Sequence, residues 1–142
     1  MQALKNIPHY TYEDYCHWEG RWQLIDGHPI AMSPLPIPKH QTVGGNLYAI
    51  FKSALKGHCK ECRAYPPIDW LVKDDTVLQP DLLIACKKVA RKYLDFPPVL
   101  VAEILSPSTA LIDRNEKFEI YESQNVKYYL ILDVNNEKIE IY

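Results

Sequence analysis

The sequence predicts an α/β or α+β domain in which one mixed β-sheet is flanked by helices. "VLVAEIL", residues 99–105, is a nearly continuous apolar run, as is typical of a strand buried on both faces. From about His40 to Leu55, apolar residues recur near the helical period of 3.6, which predicts an amphipathic helix. The predicted order of helix, hairpin, helix, several strands, helix and hairpin fits a single mixed sheet with helices packed against it.

The first part of the chain carries the signals of a short helix and a hairpin. In "TYEDYCHW", Thr11 and Asp14 have the spacing of a capping box, which predicts a short helix. Asp26-Gly27 separates two short runs in "RWQLIDGHPIAMS", which is a strong signal for a β-hairpin. "PLPIPKH" predicts a proline-rich connection from this hairpin to the amphipathic helix.

The second part of the chain predicts further strands, a helix and a closing hairpin. The strand candidates before the long apolar run are "CRAY", "IDWLV" and "LLIAC". "ALIDRNEKFEIYES" predicts one helix with Ser108 or Thr109 as its N-cap. "KYYLILDV" and "KIEIY" predict a hairpin across Asn135-Asn136.

Length and charge limit the classes of function. The 142 residues fit one domain with one core. A net charge of −2 argues against nucleic-acid binding through the overall field, so any DNA contact requires a local basic patch. The apolar runs are too short to cross a bilayer, and the first residues lack the apolar stretch of a signal peptide. We therefore expect a cytoplasmic protein with no membrane partner and with four reduced cysteines.

Two cysteines have C-x-x-C spacing in "HCKEC". A zinc site needs about four ligands, but His58 is the only adjacent candidate and Cys86 is distant along the chain. A redox pair is expected where a helix starts after a strand, whereas Gly57 closes a helix just before this pair. We interpret Cys59 and Cys62 as two thiols at the entry to a strand. A zinc protein with cysteine ligands remains a weaker alternative.

Glu103 is the residue in the apolar run that most needs a partner. An ionised carboxylate in an apolar sheet has a desolvation cost of at least several kcal/mol. Asp81 starts another predicted buried strand, and Asp113, Lys117 and Tyr121 follow at helical spacing of four, on one face. Convergent carboxylates are a common site for a hard divalent cation, whose charge offsets the cost of burying Glu103.

Each of these residues also has a plainer interpretation. Asp81, which follows a proline, could be a turn or cap residue. Asp113 and Lys117 could form a solvated pair that contributes about 0.3–0.5 kcal/mol. An ion pair with Lys117 could explain Glu103 without a metal.

Four ordered blocks of the sequence resemble one protein family. They are "WQLIDGHPIAMSPLPIPKHQ", "QPD", "VAEILSPST" and "DRNEKFEIYESQNVKYYLILD", and the chain resembles the Uma2 (DUF820) family from about Tyr10 to Tyr142. The resemblance implies a restriction-endonuclease-like, PD-(D/E)XK nuclease core spanning residues 1–142 as a single domain. That core has a mixed sheet flanked by helices.

The resemblance also implies roles for individual residues. It assigns Asp81, Glu103 and the backbone carbonyl of Ile104 as ligands of Mg²⁺ or Mn²⁺. The standard nuclease pattern has a lysine two residues after the glutamate, where this chain has Leu105. The resemblance assigns that role to Lys117 in the following helix, so the catalytic set is Asp81, Glu103 and Lys117.

The chain departs from the family pattern at two places. Gln23 stands where the family usually has a glutamate that assists the metal site, so it can hydrogen-bond but adds no charge. The family usually continues past the last strand of this chain, so we expect the carboxy terminus to be incomplete.

Two main hypotheses follow. The first is a metal-dependent endonuclease that hydrolyses phosphodiester bonds in DNA. The second is a weakened or inactive member of the fold that serves as a binding or assembly module. A homodimer is a candidate assembly of the chain under both hypotheses. Supporting site candidates are Gln23, His40, Asp113 and Tyr121. The best local basic cluster for DNA phosphates comprises Lys87, Lys88, Arg91 and Lys92.

Overall fold

A computed structural model describes residues 7–32 and 37–142 of the chain. Four helices and nine strands are present in these ranges. The helices are α1 (Tyr12–Tyr15), α2 (Pro38–Leu55), α3 (Ala110–Arg114) and α4 (Glu116–Ser123). The strands are β1 (Trp22–Ile25), β2 (His28–Ala31), β3 (Arg63–Tyr65), β4 (Trp70–Lys73), β5 (Thr76–Leu78), β6 (Leu82–Ala85), β7 (Leu100–Ile104), β8 (Tyr128–Asp133) and β9 (Lys138–Ile141).

The strands form two sheets, so the predicted α+β class is confirmed but the prediction of one mixed sheet is wrong. The five-stranded sheet has the order β3-β6-β7-β8-β9, and only β7 and β8 pair in parallel. The four-stranded sheet has the order β2-β1-β5-β4. Its strand β5 has only three residues and was not predicted, yet it pairs with both β1 and β4 and so gathers the first hairpin into a separate sheet.

The predicted local signals of the first half are confirmed. Thr11 and Asp14 form the capping box of α1. Asp26 and Gly27 both have positive φ, 48° and 81°, which is the conformation that a tight two-residue hairpin requires. Of the proline-rich connection, residues 33–36 lie outside the described residues.

The predicted helix after β7 is divided into α3 and α4 at Asn115. The backbone of Asn115 is not helical, with φ −118° and ψ −83°. Its side-chain amide donates a hydrogen bond of 2.7 Å to the carbonyl of Leu111, which competes with the backbone for helical bonding. Thr109 lies at the N-cap position but makes no capping bond, because its hydroxyl accepts the amide of Ser106 instead.

Apolar side chains cover both faces of the five-stranded sheet. One face packs against α2, with Ala102 and Ile104 of β7 in the contact. Gly44 of α2 permits this close approach, since a Cβ there would lie 3.2 Å from the Ile104 side chain. The other face, which includes Val101, packs against α4 and the four-stranded sheet. No helix within the described ranges is long and apolar enough to cross a membrane.

The cysteines depart from the prediction of four reduced thiols. Cys62 and Cys86 form a disulfide, whereas Cys16 and Cys59 are free. Cys62 and Cys86 are 24 residues apart in the chain, so their pairing has no local signal in the sequence. The antiparallel pairing of β3 with β6 places Arg63 opposite Ala85, so the residue before β3 meets the residue after β6.

Candidate active site

The antiparallel pairing of β6 and β7 brings Asp81 next to Glu103. Leu82 lies opposite Ala102, so the next position in the register places Asp81 opposite Glu103. Directly opposed residues point to the same face of a sheet. Glu103 is near the end of β7, and the antiparallel direction of the two strands lets it meet the residue that precedes β6.

Each carboxylate is held by a main-chain amide beside the other. The amide of Asp81 donates to Glu103 Oε1 at 2.9 Å, and the amide of Ile104 donates to Asp81 Oδ2 at 2.7 Å. Such bonds stabilise the charged form and fix the orientation of both side chains. Ile104, the predicted carbonyl ligand, therefore lies at the site, and its amide makes the contact with Asp81.

Lys117 joins the carboxylates from helix α4. Its ammonium group donates a hydrogen bond to Glu103 Oε2 and lies 3.5 Å from Asp113 Oδ1. All three side chains are almost completely buried, with relative exposures of 2% for Glu103, 1% for Asp113 and 3% for Lys117. The predicted pairing of Glu103 with Lys117 is therefore present and desolvated, which excludes the interpretation of Asp113 and Lys117 as a solvated surface pair.

The contact of Asp113 is a charge interaction and not a hydrogen bond. Asp113 Oδ1 is within ion-pair distance of Lys117 but is buried without a hydrogen-bond partner. An unsatisfied buried acceptor is costly, so its retention points to a role at the site. If all groups ionise, Asp81, Glu103, Asp113 and Lys117 leave two net negative charges in one place.

The pKa values of the two strand carboxylates are raised. Burial and the nearby charge of Glu103 raise the pKa of Asp81 to about 6. Burial raises the pKa of Glu103 to about 8, and although Lys117 opposes this shift, Asp113 adds to it. Burial alone would lower the pKa of Lys117, but the charges of Glu103 and Asp113 outweigh it and raise this pKa. A raised carboxylate pKa identifies a place where an added cation would be favourable.

A cavity of about 330 Å³ opens onto these groups. Asp81, Glu103, Asp113 and Lys117 line it, and so do Gln23, His40 and Ile104. Gln23 reaches this cavity from β1 of the four-stranded sheet, whereas Glu103 belongs to the five-stranded sheet. It is 2% exposed, and its side-chain oxygen accepts the amide of Gln79 at 2.9 Å.

Tyr121 lies behind the site rather than in the cavity lining. Its ring is 1% exposed, stacks on Trp70 at 5.9 Å, and meets Tyr129 edge-to-face at 4.8 Å. Its hydroxyl is buried without a hydrogen-bond partner. Burial, reinforced by the charge of Glu103, raises the pKa of Tyr121 well above its usual value, so the hydroxyl is neutral.

The structure does not bring the predicted basic cluster to this cavity. Asp81 precedes β6 and Lys87 follows it, which separates them by roughly 20 Å along an extended strand. Arg91 pairs with Asp95 at 3.4 Å, and Lys87 lies over the ring of Phe96.

Arg21 and Gln79 are cavity residues that the sequence analysis missed. The guanidinium of Arg21 donates two hydrogen bonds, of 2.9 and 2.7 Å, to the side-chain oxygen of Gln79. Gln79 in turn donates to Asp69 at 3.0 Å. The only signal was that Gln79 stands in "QPD" and Arg21 directly precedes the "WQLIDG" block. Ser106, Ser108 and Thr109 complete the rim as a hydroxyl cluster.

Comparison with known proteins places this chain in a family. Residues 10–142 match the family model of Uma2, described as "Putative restriction endonuclease". The chain belongs to the Uma2 family. The uncharacterized protein slr1290 of Synechocystis sp. (strain ATCC 27184 / PCC 6803 / Kazusa) is 29% identical over 143 residues, which cover 96% of this chain and 75% of that protein.

The fold of this Uma2 chain also has a counterpart among solved structures. A putative nuclease belonging to DUF820 from Anabaena variabilis ATCC 29413 matches it with a TM-score of 0.77 at 16% identity. The match covers 94% of this chain and 79% of that one. The family and the nuclease-like fold expected from the sequence are both confirmed.

The raised carboxylate pKa values predict a pH-dependent stability of the metal-free Uma2 chain. The ordinary pKa of a glutamate is 4.5, and the pKa of Glu103 in the folded state is about 8. At pH values between these two, the folded state keeps a proton on Glu103 that the unfolded state has lost. The free energy of unfolding should therefore fall as pH rises through this range. Asp81, whose pKa is raised from 3.8 to about 6, should add to this fall between those two pH values.

Urea denaturation in chelator from mildly acidic to mildly alkaline pH measures this dependence. Glu103→Gln provides the comparison, because glutamine does not titrate and the slope should become shallower. Parallel curves for the two proteins would contradict the assignment of the raised pKa to Glu103.

Proposed function

We propose that this Uma2 chain is a metal-dependent endonuclease that hydrolyses phosphodiester bonds in DNA, with Mg²⁺ or Mn²⁺ as its cation. The observation that carries this proposal is the convergence of Asp81, Glu103 and Lys117 on one cavity. The family description and the name of the Anabaena protein both refer to nucleases, which supports a nucleic-acid substrate. Nucleases of the restriction-endonuclease-like class generally use divalent metals.

The residues present fit a hard divalent cation. The donors are carboxylate oxygens with a net negative charge, and Asp113 Oδ1 is a buried acceptor without a hydrogen bond. In the part of the chain that the structure describes, Asp81, Glu103 and Asp113 do not form a group whose ligand oxygens all lie within 4.8 Å of one another. A Mg²⁺ site does not require three convergent carboxylates, because proteins usually hold this ion with one or two carboxylates while water and phosphate fill its other positions.

Asp81 and Glu103 would hold the cation, with the backbone carbonyl of Ile104 as the proposed third ligand. A bound divalent cation supplies Lewis acidity that activates water and offsets phosphate charge. Lys117 contributes a buried positive charge that can orient the attacking water or stabilise the negative charge developing on the phosphate. Arg21 at the cavity edge adds a second cation on the side of the four-stranded sheet.

Cleavage of supercoiled plasmid in Mg²⁺, in Mn²⁺ and in chelator tests the proposal. Nicking or linearisation should require the cation and stop in chelator. DNA binding without cleavage in either metal would favour the second candidate, a catalytically inactive binding module. The observation that favours this alternative is Gln23, which brings no charge to the cavity and whose oxygen is already bonded to the main chain.

Restoring a carboxylate at position 23 should strengthen the cation site. Glu and Gln have the same shape, so Gln23→Glu can keep the bond from the Gln79 amide while adding one negative charge to the cavity. We expect tighter Mn²⁺ binding by on the order of 1–3 kcal/mol, together with faster cleavage. Isothermal titration with Mn²⁺ and plasmid nicking measure the two effects.

Gln41→Glu is the matched control. Gln41 is exposed on α2, so this substitution adds the same charge at the surface. It should change neither quantity appreciably. If Gln23→Glu also leaves affinity and cleavage unchanged, Gln23 is a structural residue and its departure from the family pattern carries no information about activity.

A further inference from the structure

Three cysteines meet at one end of the five-stranded sheet. Cys62 directly precedes β3 and Cys86 directly follows β6, and the pairing of these strands sets the two residues side by side. Cys59 lies in the turn after α2. The sulfur atoms of Cys59, Cys62 and Cys86 all lie within 4.8 Å of one another, and all three residues are partly buried. The cluster is separate from the carboxylates, which lie at the opposite end of β6.

The turn that carries Cys59 directs a main-chain amide at the Cys59 sulfur. The amide of Cys62 donates a hydrogen bond to Cys59 Sγ at 3.2 Å. Amide donors of this kind fix the orientation of a ligating group and offset its negative charge. Gly57, with φ of 79°, reverses the chain between α2 and this turn. The C-x-x-C spacing is therefore realised as a compact turn, with a distant third cysteine completing the cluster.

The surroundings of the cluster are positively charged. A cavity beside it is lined by Lys56, Lys60 and Arg63, together with Cys59 and Cys62. Three thiolates around a divalent cation carry one net negative charge, which these side chains complement.

We propose that the reduced chain binds one zinc ion through the thiolates of Cys59, Cys62 and Cys86. Thiolate sulfur selects zinc and other soft cations, whereas Mg²⁺ prefers oxygen, so this site and the carboxylate site take different metals. Three protein ligands leave the fourth tetrahedral position to water. The disulfide form is the zinc-free state, because Cys62 and Cys86 cannot act as thiolates until their bond is reduced, and Cys59 alone does not hold the ion.

Conversion between the two states has a simple balance. A phosphine reductant gives two electrons to the disulfide and becomes a phosphine oxide with oxygen from water. The Cys62–Cys86 bond breaks, and the two protons of that water produce two thiols. Zinc then replaces the protons of the three thiols as they become thiolates.

Zinc binding by the whole chain, free of any histidine tag, tests the proposal. After reduction with a phosphine, titration against a chromophoric chelator should show about one tightly bound zinc per chain. Cobalt should give sulfur-to-metal charge-transfer bands, which only thiolate ligands produce. The oxidised chain should show neither signal.

Cys59→Ser separates a metal site from a plain disulfide, since Cys62 and Cys86 remain able to pair. It should weaken zinc binding by more than the roughly 10- to 100-fold that loss of an outer-shell partner causes. Cys16→Ser is the matched control, because Cys16 is free, exposed and outside the cluster. Circular dichroism confirms that each variant is folded.

Several outcomes would overturn the proposal. They are a reduced chain that binds no zinc, a Cys59→Ser variant with unchanged affinity, or equal binding by the oxidised chain. The first result would mean that the three cysteines form only a disulfide and a neighbouring free thiol, and not a metal site.

Discussion

Replacing Glu103 with glutamine is expected to lower metal-dependent DNA cleavage by on the order of 10²- to 10³-fold, the range for loss of one preorganised electrostatic group. Glutamine keeps the size of the side chain, and its oxygen can still accept the amide of Asp81. It removes the charge that is shared with Asp81 at the proposed cation site. The domain should stay folded, because repulsion from Asp81 and Asp113 is removed along with the bond to Lys117.

Two measurements check this prediction. Plasmid nicking gives the rate, and thermal melting in Mg²⁺ and in chelator gives the stabilisation by the cation. Glu119→Gln is the matched control, since Glu119 is exposed on α4. If wild type and Glu103→Gln gain equally from Mg²⁺, Glu103 is not a ligand.

The sequence was sufficient to identify the central carboxylate and its partners. A glutamate within a run of aliphatic residues is costly to bury, and Lys117 and Asp113 stood four residues apart in the next helix. The structure brings all three together with exposures of 3% or less. These residues could be predicted because burial and helical spacing are local properties of the sequence.

The arrangement of the strands could not be predicted in the same way. Strand β5 has three residues, too few for a periodic signal, yet it determines that β1 belongs to the four-stranded sheet. Gln23 consequently reaches the cavity from a different sheet from Glu103. Arg21 and Gln79 were missed for the same reason, because their contacts cross 58 residues of chain.

The cysteines show the same limit. Cys59 and Cys62 were visible as a pair, but Cys86 joins them only through the register of β3 with β6. A third ligand from a distant strand has no signature in a single sequence. The basic cluster shows the opposite case: Lys87 is close to Asp81 in the chain, but strand β6 lies between them and separates the two residues.

Lys117→Met should destabilise the metal-free chain by about 3–5 kcal/mol at a pH above the Glu103 pKa of about 8, where this carboxylate is ionised. This is the usual cost of removing one partner from a buried ion pair. Methionine is similar in length, so the packing around α4 is largely kept. The loss is electrostatic: Glu103 loses its hydrogen-bonded cation, and Asp113 loses the charge at 3.5 Å. Cleavage should also fall, because no other buried cation faces Glu103 among the described residues.

The pH and the cation distinguish this mechanism from a simple packing defect. Without Lys117, the pKa of Glu103 should rise further, so the variant should recover stability as pH falls and the carboxylates take up protons. A divalent cation should restore part of the stability at this alkaline pH, since it replaces the lost positive charge. Urea denaturation at two pH values, with Mg²⁺ or with chelator, measures both effects.

Lys52→Met, at an exposed position of α2, is the matched control and should change the free energy of unfolding little. A loss in Lys117→Met that is the same at both pH values and unaffected by Mg²⁺ would mean that Lys117 acts through packing, and that the carboxylates it contacts do not form a cation site.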